Sequence, residues 1–186
     1  MIVRIMILLF AVAAIPGTAF AQQEENVERL VRAYFTAFQK QDWDTLVDMM
    51  HPESLKEVAD AILVKLPQNP ADIPDAKRAE IEELLTTLAV ETPEAARKLL
   101  PRQVYLRILR KSGILKTVDV MKDVKTEIKN VSITRGAGQY YADVDVVSEF
   151  RGKIFSGTTH FVVAAVDGTL KVVAMTKTKQ PPKNTP

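Results

Sequence analysis

The sequence contains no cysteine, which excludes disulfide bonds, thiolate catalysis and a lipid-modified N-terminal cysteine. With only two histidines, a dedicated zinc site is not expected, and we predict neither a metal nor a cofactor. Basic and acidic residues nearly balance, at 25 and 23, and form no basic stripe, so we predict no nucleic-acid partner. The chain also lacks a glycine-rich phosphate loop and a G-x-S-x-G nucleophile motif.

The first 21 residues have the pattern of a cleavable secretory signal peptide. Arg4 precedes an apolar run from Ile5 to Ile15, then Pro16-Gly17 and the small-x-small tripeptide Ala19-Phe20-Ala21. The apolar run is about half the ~20 residues that a membrane-spanning helix needs. We therefore predict cleavage near Ala21 and export to a bacterial periplasm, with full secretion as the second choice. No membrane span is expected in the mature chain.

Residues 22–178 are predicted to form a single domain whose helical part covers 24–116. Apolar residues recur at helical spacing from Glu24 to Lys40, and Asp42 is positioned as the N-cap of a short second helix. His51-Pro52 is expected to end that helix, and Leu55 to Leu66 has the spacing of a third.

Three further signals divide the rest of the helical part. The segment from Pro67 to Pro74 has three prolines and predicts a loop, after which Asp75 opens a helix. Thr92-Pro93 combines an N-cap hydroxyl with a proline at the first helical position, which predicts a new helix start. The last helix is expected to end near Ser112-Gly113.

From about Met121 the apolar period changes to two, which predicts an antiparallel sheet over 121–178 and a disordered tail at 179–186. A slip in the alternation near Lys129-Asn130 predicts a bulge and a curved sheet. Tight turns separate the four predicted strands, which are Lys125–Arg135, Gln139–Phe150, Lys153–Val166 and Thr169–Lys177.

A two-residue turn at Arg151-Gly152 would pair Phe150 with Lys153, and hence Asp143 with His160. This register sorts the strand residues into two faces. The face that the helices should cover carries Tyr140, Ala142, Val144, Val146, Phe150, Phe155, Phe161, Val163, Val172 and Ala174. The more polar face carries Tyr141, Asp143, Asp145, Glu149, Ser156, Thr158 and His160.

Three segments near the N-terminus carry a family resemblance. These are Val-x-x-Leu-Val-x-x-Tyr-Phe-x-Ala-Phe from Val27 to Phe38, Gln-x-Trp-x-x-Leu from Gln41 to Leu46, and His51-Pro52-Glu53. Together with the closing strands they resemble the nuclear transport factor 2-like (SnoaL-like) superfamily, which includes ketosteroid isomerases and polyketide cyclases. The resemblance covers Glu24 to Glu53 and Met121 to Lys177. The middle, Leu55 to Lys116, departs from that pattern.

The resemblance implies an α+β fold in which N-terminal helices pack on a curved four-stranded antiparallel meander, forming a cone. The helical insertion at 67–100 is extra to that pattern, and an interaction role for these helices is a further possibility. Related domains often bind apolar ligands between helix and sheet and often dimerise through the open sheet face, so a homodimer is predicted. Ligand-pocket candidates are Tyr34, Phe38, Trp43, Tyr140 and Phe161; ordinary core packing is the alternative.

Three residues are candidates for catalysis. Asp143 and His160, if paired, would have the chemistry of an oriented general base, although the predicted register places them on the polar face. His51 could lie in a pocket, with an exposed or C-terminal capping histidine as the alternative. We predict a non-enzymatic exported domain that binds a small apolar ligand or a partner protein. The alternative is an isomerase or dehydratase that uses an acidic residue or histidine as general base.

Overall fold

The structure is a computed structural model that describes residues 16–68, 74–111, 125–150 and 152–179. In these ranges the helices precede an antiparallel sheet of strand order β1-β2-β3-β4, which confirms the predicted α+β class. The elements are α1 (Pro16–Lys40), α2 (Trp43–Asp48), α3 (Pro52–Leu63), α4 (Asp75–Thr87), α5 (Pro93–Arg97), α6 (Pro101–Lys111), β1 (Lys125–Gly136), β2 (Gln139–Phe150), β3 (Lys153–Val166) and β4 (Thr169–Lys179).

Helix α1 is longer than predicted, because it begins at Pro16 and not near Glu24. The predicted cleavage position after Ala21 therefore falls within α1; cleavage itself stays a prediction, and residues 1–15 lie outside the described part. One face of the helix buries Val27 and Val31 completely. On its exposed side Glu28 and Arg32 form an ion pair of 2.7 Å at helical i,i+4 spacing.

Two side-chain hydrogen bonds fix α1 across the sheet. Near its start, Gln23 Oε1 accepts a hydrogen bond from the Tyr140 hydroxyl. Near its end, Gln39 Nε2 donates to the Thr126 carbonyl oxygen over 3.0 Å. Because Tyr140 is the second residue of β2 and Thr126 the second of the antiparallel β1, these contacts lie at opposite ends of the β1–β2 pair. Helix α1 therefore runs along its whole length.

The predicted helix starts at Asp42, Asp75 and Thr92-Pro93 are confirmed. Asp42 Oδ1 accepts from the Thr45 backbone N–H over 3.1 Å, and the Thr92 hydroxyl accepts from the Ala95 N–H over 3.2 Å. Such caps satisfy backbone N–H groups that have no partner within the helix.

The segment between α2 and α3 is attached to the edge strand β4. The Val172 N–H donates to the Met49 carbonyl and its carbonyl accepts from the His51 N–H, both over 2.8 Å. The Ser54 hydroxyl donates to the Val173 carbonyl over 2.8 Å. Met50 and Val172 thus form a short parallel bridge near the start of the β4 edge.

The predicted register of β2 and β3 is confirmed: both strands have their predicted bounds, and the pairs Phe150–Lys153 and Asp143–His160 are present. A register shift between Ile128 and Asn130 confirms the predicted bulge. Strand β4 extends to Lys179, so the first residue of the predicted tail belongs to the sheet. The helix end at Ser112-Gly113, residues 69–73 of the predicted loop, and tail residues 180–186 lie outside the described residues.

The helices cover one face of the sheet, here called the inner face, and leave the outer face open. The buried apolar residues of β2, β3 and β4 on the inner face are Tyr140, Ala142, Val144, Phe161, Val163 and Val172, as predicted. Ala174 is an error in the prediction: it pairs with Val162 on the outer face and is exposed. The cause is a register shift between Val162 and Val163, which adds a residue to β4 beyond Val172 and inverts the alternation there.

Two apolar cores lie on either side of α6. The sheet core joins α1 and α2 to the inner face. The helical core packs α3, α4, α5 and α6 through Ala59, Leu66, Ile81, Leu88, Ala96 and Val104. Helix α6 contributes to both, since Val104 is buried in the helical core and Leu106 in the sheet core. Within the described ranges no helix combines the length and apolarity needed to cross a membrane.

Candidate functional site

Burial along the inner face falls steeply towards one end. Phe161 is 1% exposed, whereas Phe155, six residues earlier on the same strand and face, is 49% exposed. Between them lie Gly157, which has no side chain, and Thr159, which is buried. The middle of the inner face is therefore closed, whereas its end at Phe155, here called the open end, is only partly covered by the described residues.

The five predicted pocket residues belong to the sheet core or its margin. Tyr34 and Phe161 meet edge to face with ring centroids 5.5 Å apart, and Phe38 and Trp43 do so at 5.9 Å. Tyr140 is buried beside the start of α1 through its contact with Gln23. The structure brings the five into one apolar cluster, and their role as pocket residues stays a prediction.

Partly buried residues form the margin of this cluster on its open side. Phe35 packs on Phe161 with centroids 5.6 Å apart, and further members are Tyr105, Leu109, Ile128 and Val146. Sequence reasoning missed Tyr105 and Leu109 as site residues. The i,i+4 spacing of Tyr105 and Leu109 in α6 indicates that both lie on one face of the helix. It does not indicate whether that face packs on the sheet core or on the helical core.

Two buried hydroxyls on this side have no hydrogen-bond partner among the described residues. Tyr34 is 6% exposed and Thr159 is 2% exposed, and neither hydroxyl bonds to protein in that part of the chain. Tyr105 is half-buried, and its hydroxyl likewise has no hydrogen-bond partner among the described residues. Buried polar groups in folded proteins are nearly always paired, either with protein or with ordered water.

Burial raises the pKa of Tyr34 well above its ordinary value, and the neighbouring Tyr105 adds to the rise. Burial likewise raises the pKa of Tyr105. Both phenols therefore keep their protons at neutral pH and act as hydrogen-bond donors.

Asp143 and His160 are paired as predicted, with Asp143 Oδ1 and His160 Nδ1 2.7 Å apart. On the outer face Asp143 is exposed and His160 is partly exposed, and Asp145 beside them accepts a 2.8 Å hydrogen bond from Thr158. This geometry can orient an imidazole, but the helices and the inner-face aromatics lie on the other side of the sheet. The pair is thus separated from the apolar site.

His51 occupies an N-cap and not the expected C-terminal cap. Its Nδ1 accepts a hydrogen bond from the Glu53 backbone N–H over 3.2 Å at the start of α3. The reason is Pro52, which begins α3 directly after His51 and makes the histidine its flanking residue. The His51 side chain therefore caps the N-terminus of α3.

A further group of charged side chains lies between α2 and α6. Arg102 bonds Asp48 over 2.9 Å and lies 3.4 Å from Asp44, which also contacts Arg110, so these charges link α2 to α6. The bond to Asp48 raises the pKa of Arg102. Across residues 16–68, 74–111, 125–150 and 152–179, no three histidine or carboxylate side chains are grouped to hold a metal ion.

The helical part also carries a shallow surface groove with a volume of about 280 Å³. None of the predicted site residues lines it. Its walls are Arg78, Ile81, Glu82, Leu85, Glu91, Thr92 and Pro93.

Comparison with known proteins identifies no family. No family model matches the chain, and no curated protein matches it. One solved structure that it resembles is the solution NMR structure of a de novo designed β-sheet protein, at 19% identity, covering 72% of this chain and 91% of that one. The TM-score is 0.28, so the two folds are not shown to correspond.

Proposed function

We propose that this chain is an exported, non-enzymatic domain that binds a small apolar ligand on a nuclear transport factor 2-like scaffold. The ligand lies at the open end of the inner face, between the margin residues and Phe155. Export rests on the signal-peptide pattern of residues 1–21, and the scaffold rests on the sequence resemblance and the helix-then-sheet order.

The half-exposed Phe155 is the observation that carries the proposal. A phenylalanine on the face that otherwise forms the core exposes apolar surface that folding has not buried. Phe35, Val146 and Leu109 are partly buried residues that pack on the sheet core, and Gly157, between Phe155 and Thr159 on the same face, has no side chain. An apolar ligand would bury this surface with a gain of roughly 25 cal/mol per Å² of apolar area.

The arrangement gives less support to an isomerase or dehydratase. Such an enzyme needs an acidic residue or histidine that reaches the bound substrate. Asp143 and His160 lie on the outer face, and His51 caps α3. The inner-face positions described above are apolar or carry neutral hydroxyls.

Binding of 1-anilinonaphthalene-8-sulfonate, which fluoresces on apolar surfaces, tests the location of the site. We expect Phe155→Ser to weaken binding of this probe at least about fivefold, because it removes the exposed ring. Ile154→Ser is the matched control, since Ile154 is 71% exposed but belongs to the opposite face. Equal loss in both variants, or in neither, would contradict the proposed site.

A homodimer through the outer face is the second part of the proposal. Tyr141 is an exposed aromatic residue of that face and pairs with the partly buried Val162, and Val147 further along β2 is also partly buried there. Light scattering on the mature protein tests it: a Tyr141→Ser variant should shift the mass from dimer towards monomer. A strictly monomeric mass for the unmodified protein would rule the dimer out.

A further inference from the structure

The residue that follows the predicted cleavage position is a glutamine with an exposed side chain. Cleavage after Ala21 would make Gln22 the first residue of the mature chain and give it a free α-amine. The carboxamide carbon of the glutamine then lies in the same residue as this amine. A reaction between the two groups is therefore intramolecular and needs no second molecule to be positioned.

The structure leaves the Gln22 side chain accessible for this reaction. Its Nε2 lies 3.5 Å from Glu25 Oε2 on the exposed side of α1, which is long for a hydrogen bond. The new ring would contain only atoms of Gln22, so its closure requires no change in the backbone of later residues. The Gln22 backbone carbonyl, which accepts from the Asn26 N–H in an α-helix, stays outside the ring. Helix α1 can therefore remain intact.

Ring closure would also remove an unfavourable charge. Helix α1 spans Pro16–Lys40, so cleavage after Ala21 leaves a helix that begins at Gln22. The N-terminus of a helix carries a partial positive charge, and an α-ammonium group there is destabilising. The next residue, Gln23, attaches this end of α1 to β2 by accepting a hydrogen bond from the buried Tyr140 hydroxyl. Loss of the ammonium charge therefore stabilises the end of α1 that makes this contact.

We propose that Gln22 of the mature protein cyclises to pyroglutamate. The neutral α-amine attacks Cδ, the bond between the α-nitrogen and Cδ forms, and the bond between Cδ and Nε2 breaks. The proton that the α-nitrogen loses passes to Nε2, which leaves as ammonia, so the step needs no oxidant, reductant or cofactor. This inference rests on the proposed export, because it requires cleavage after Ala21, and it is independent of the ligand site.

The intact mass of the exported protein tests the modification. The full chain is produced in a bacterial host, purified from the periplasm and kept at neutral pH until its mass is constant. We expect the mass of residues 22–186 less one ammonia molecule, with fragmentation placing the loss at Gln22.

Two substitutions are matched controls for this mass. Gln22→Asn keeps a carboxamide on a side chain one methylene shorter, which closes no stable ring, so this variant should retain its ammonia. Gln23→Asn leaves Gln22 in place and should lose ammonia like the unmodified protein. Loss of ammonia from Gln22→Asn would show that another residue is the source and would overturn the assignment.

Hydrogen exchange tests the effect of the lost charge on α1. The Asn26 and Val27 amides should exchange about two- to fivefold more slowly in the cyclised protein than in Gln22→Asn, which keeps its ammonium. Equal exchange rates would show that removal of the charge does not stabilise this end of the helix.

The outcomes separate this inference from the proposed function. A chain that begins at Gln22 and keeps its ammonia overturns the inference, whereas export and the cleavage position stand. A chain that begins at another residue refutes both the cleavage position and the inference. A chain that is not cleaved contradicts the proposed export itself.

Discussion

The sheet core and the helical core are built from different side chains and closed in different ways. The sheet core is centred on Phe161, on which Tyr34 and Phe35 pack edge to face. The helical core consists of aliphatic residues contributed by four helices. Aromatic rings make large, directional contacts, whereas aliphatic side chains adapt to several arrangements. We therefore expect substitutions in the sheet core to lower the free energy of unfolding more than substitutions in the helical core.

The rim of the helical core is held by cations that bind backbone carbonyls. Arg107 donates to the Leu88 carbonyl, Lys111 donates to the Thr86 carbonyl over 2.7 Å, and Arg97 donates to the Leu66 carbonyl over 3.2 Å. The Thr86 and Leu88 carbonyls lie at the end of α4, where the last carbonyls have no partner within the helix, and Leu66 lies in the turn after α3. Side chains of α5 and α6 therefore complete the helices that they pack against.

Phe161→Ala should give the largest loss of stability, because it removes the ring that Tyr34 and Phe35 share. We expect a decrease of about 3–5 kcal/mol in the free energy of unfolding, measured by urea denaturation. Phe155→Ala is the control on the same face, with an expected loss below about 1 kcal/mol because its ring is half exposed. Similar losses for the two variants would show that Phe161 is not the centre of the sheet core.

Leu88→Ala tests the helical core. Leu88 is fully buried, and we expect a loss of about 2–3 kcal/mol, at the lower end for such a change, since the surrounding short helices can move inward. Hydrogen exchange should show lost protection in α4 and α5 while β2 and β3 remain protected. An equal loss of protection in the sheet would mean that the two cores open together.

Arg107→Met tests the contribution of the carbonyl contacts at the rim. The side chain keeps its apolar stem and loses the guanidinium, so we expect a decrease of about 1–2 kcal/mol in the free energy of unfolding. Arg32→Met removes an exposed helical ion pair instead and should cost only about 0.3–0.5 kcal/mol. If Arg107→Met costs no more than Arg32→Met, backbone capping by α6 does not stabilise the helical core.

Asp42→Asn should have the smallest effect and one that depends on pH. Hydrogen bonds from the Thr45 hydroxyl and N–H lower the pKa of Asp42 below its ordinary value of 3.8. The ionised cap therefore stabilises the protein fully above pH 3.8, and this contribution disappears as the pH falls further through the lowered pKa. Asparagine also caps helices but does not titrate there, so thermal unfolding of the variant should depend less on pH below about 4.

The strand bounds and the register of the sheet could be predicted closely. Both depend on turn residues and on the alternation of apolar and polar residues, which are local features of the sequence. Asp167-Gly168 and the Phe150–Lys153 pair determine which residues oppose one another, and the Asp143–His160 pair follows from that count. Ala174 was misplaced because the extra residue in β4 has no marker in the sequence. That shift coincides with the tertiary contacts of Val172 and Val173 with the α2–α3 segment.

The helical part was predicted only as separate elements. Caps at Asp42 and Thr92 are local signals, but the contacts of Arg97 and Arg107 with distant carbonyls depend on how the helices pack. The candidate site was predicted in part for the same reason. The sequence indicates Tyr34 and Phe161 as aromatic pocket candidates, whereas the partial burial of Tyr105 and the exposure of Phe155 follow only from how the helices pack on the sheet.

The bridge between Met50 and Val172 also affects how this protein behaves at high concentration. An edge strand with free backbone groups can pair with the edge of another molecule and begin aggregation. Here the β4 edge is already occupied near its start by the Met49–His51 backbone. The opposite edge, β1, is interrupted by its bulge at Lys129, whose charged side chain pairs with Glu127. Both edges thus resist intermolecular β-pairing, which favours a chain that stays dispersed without disulfide bonds.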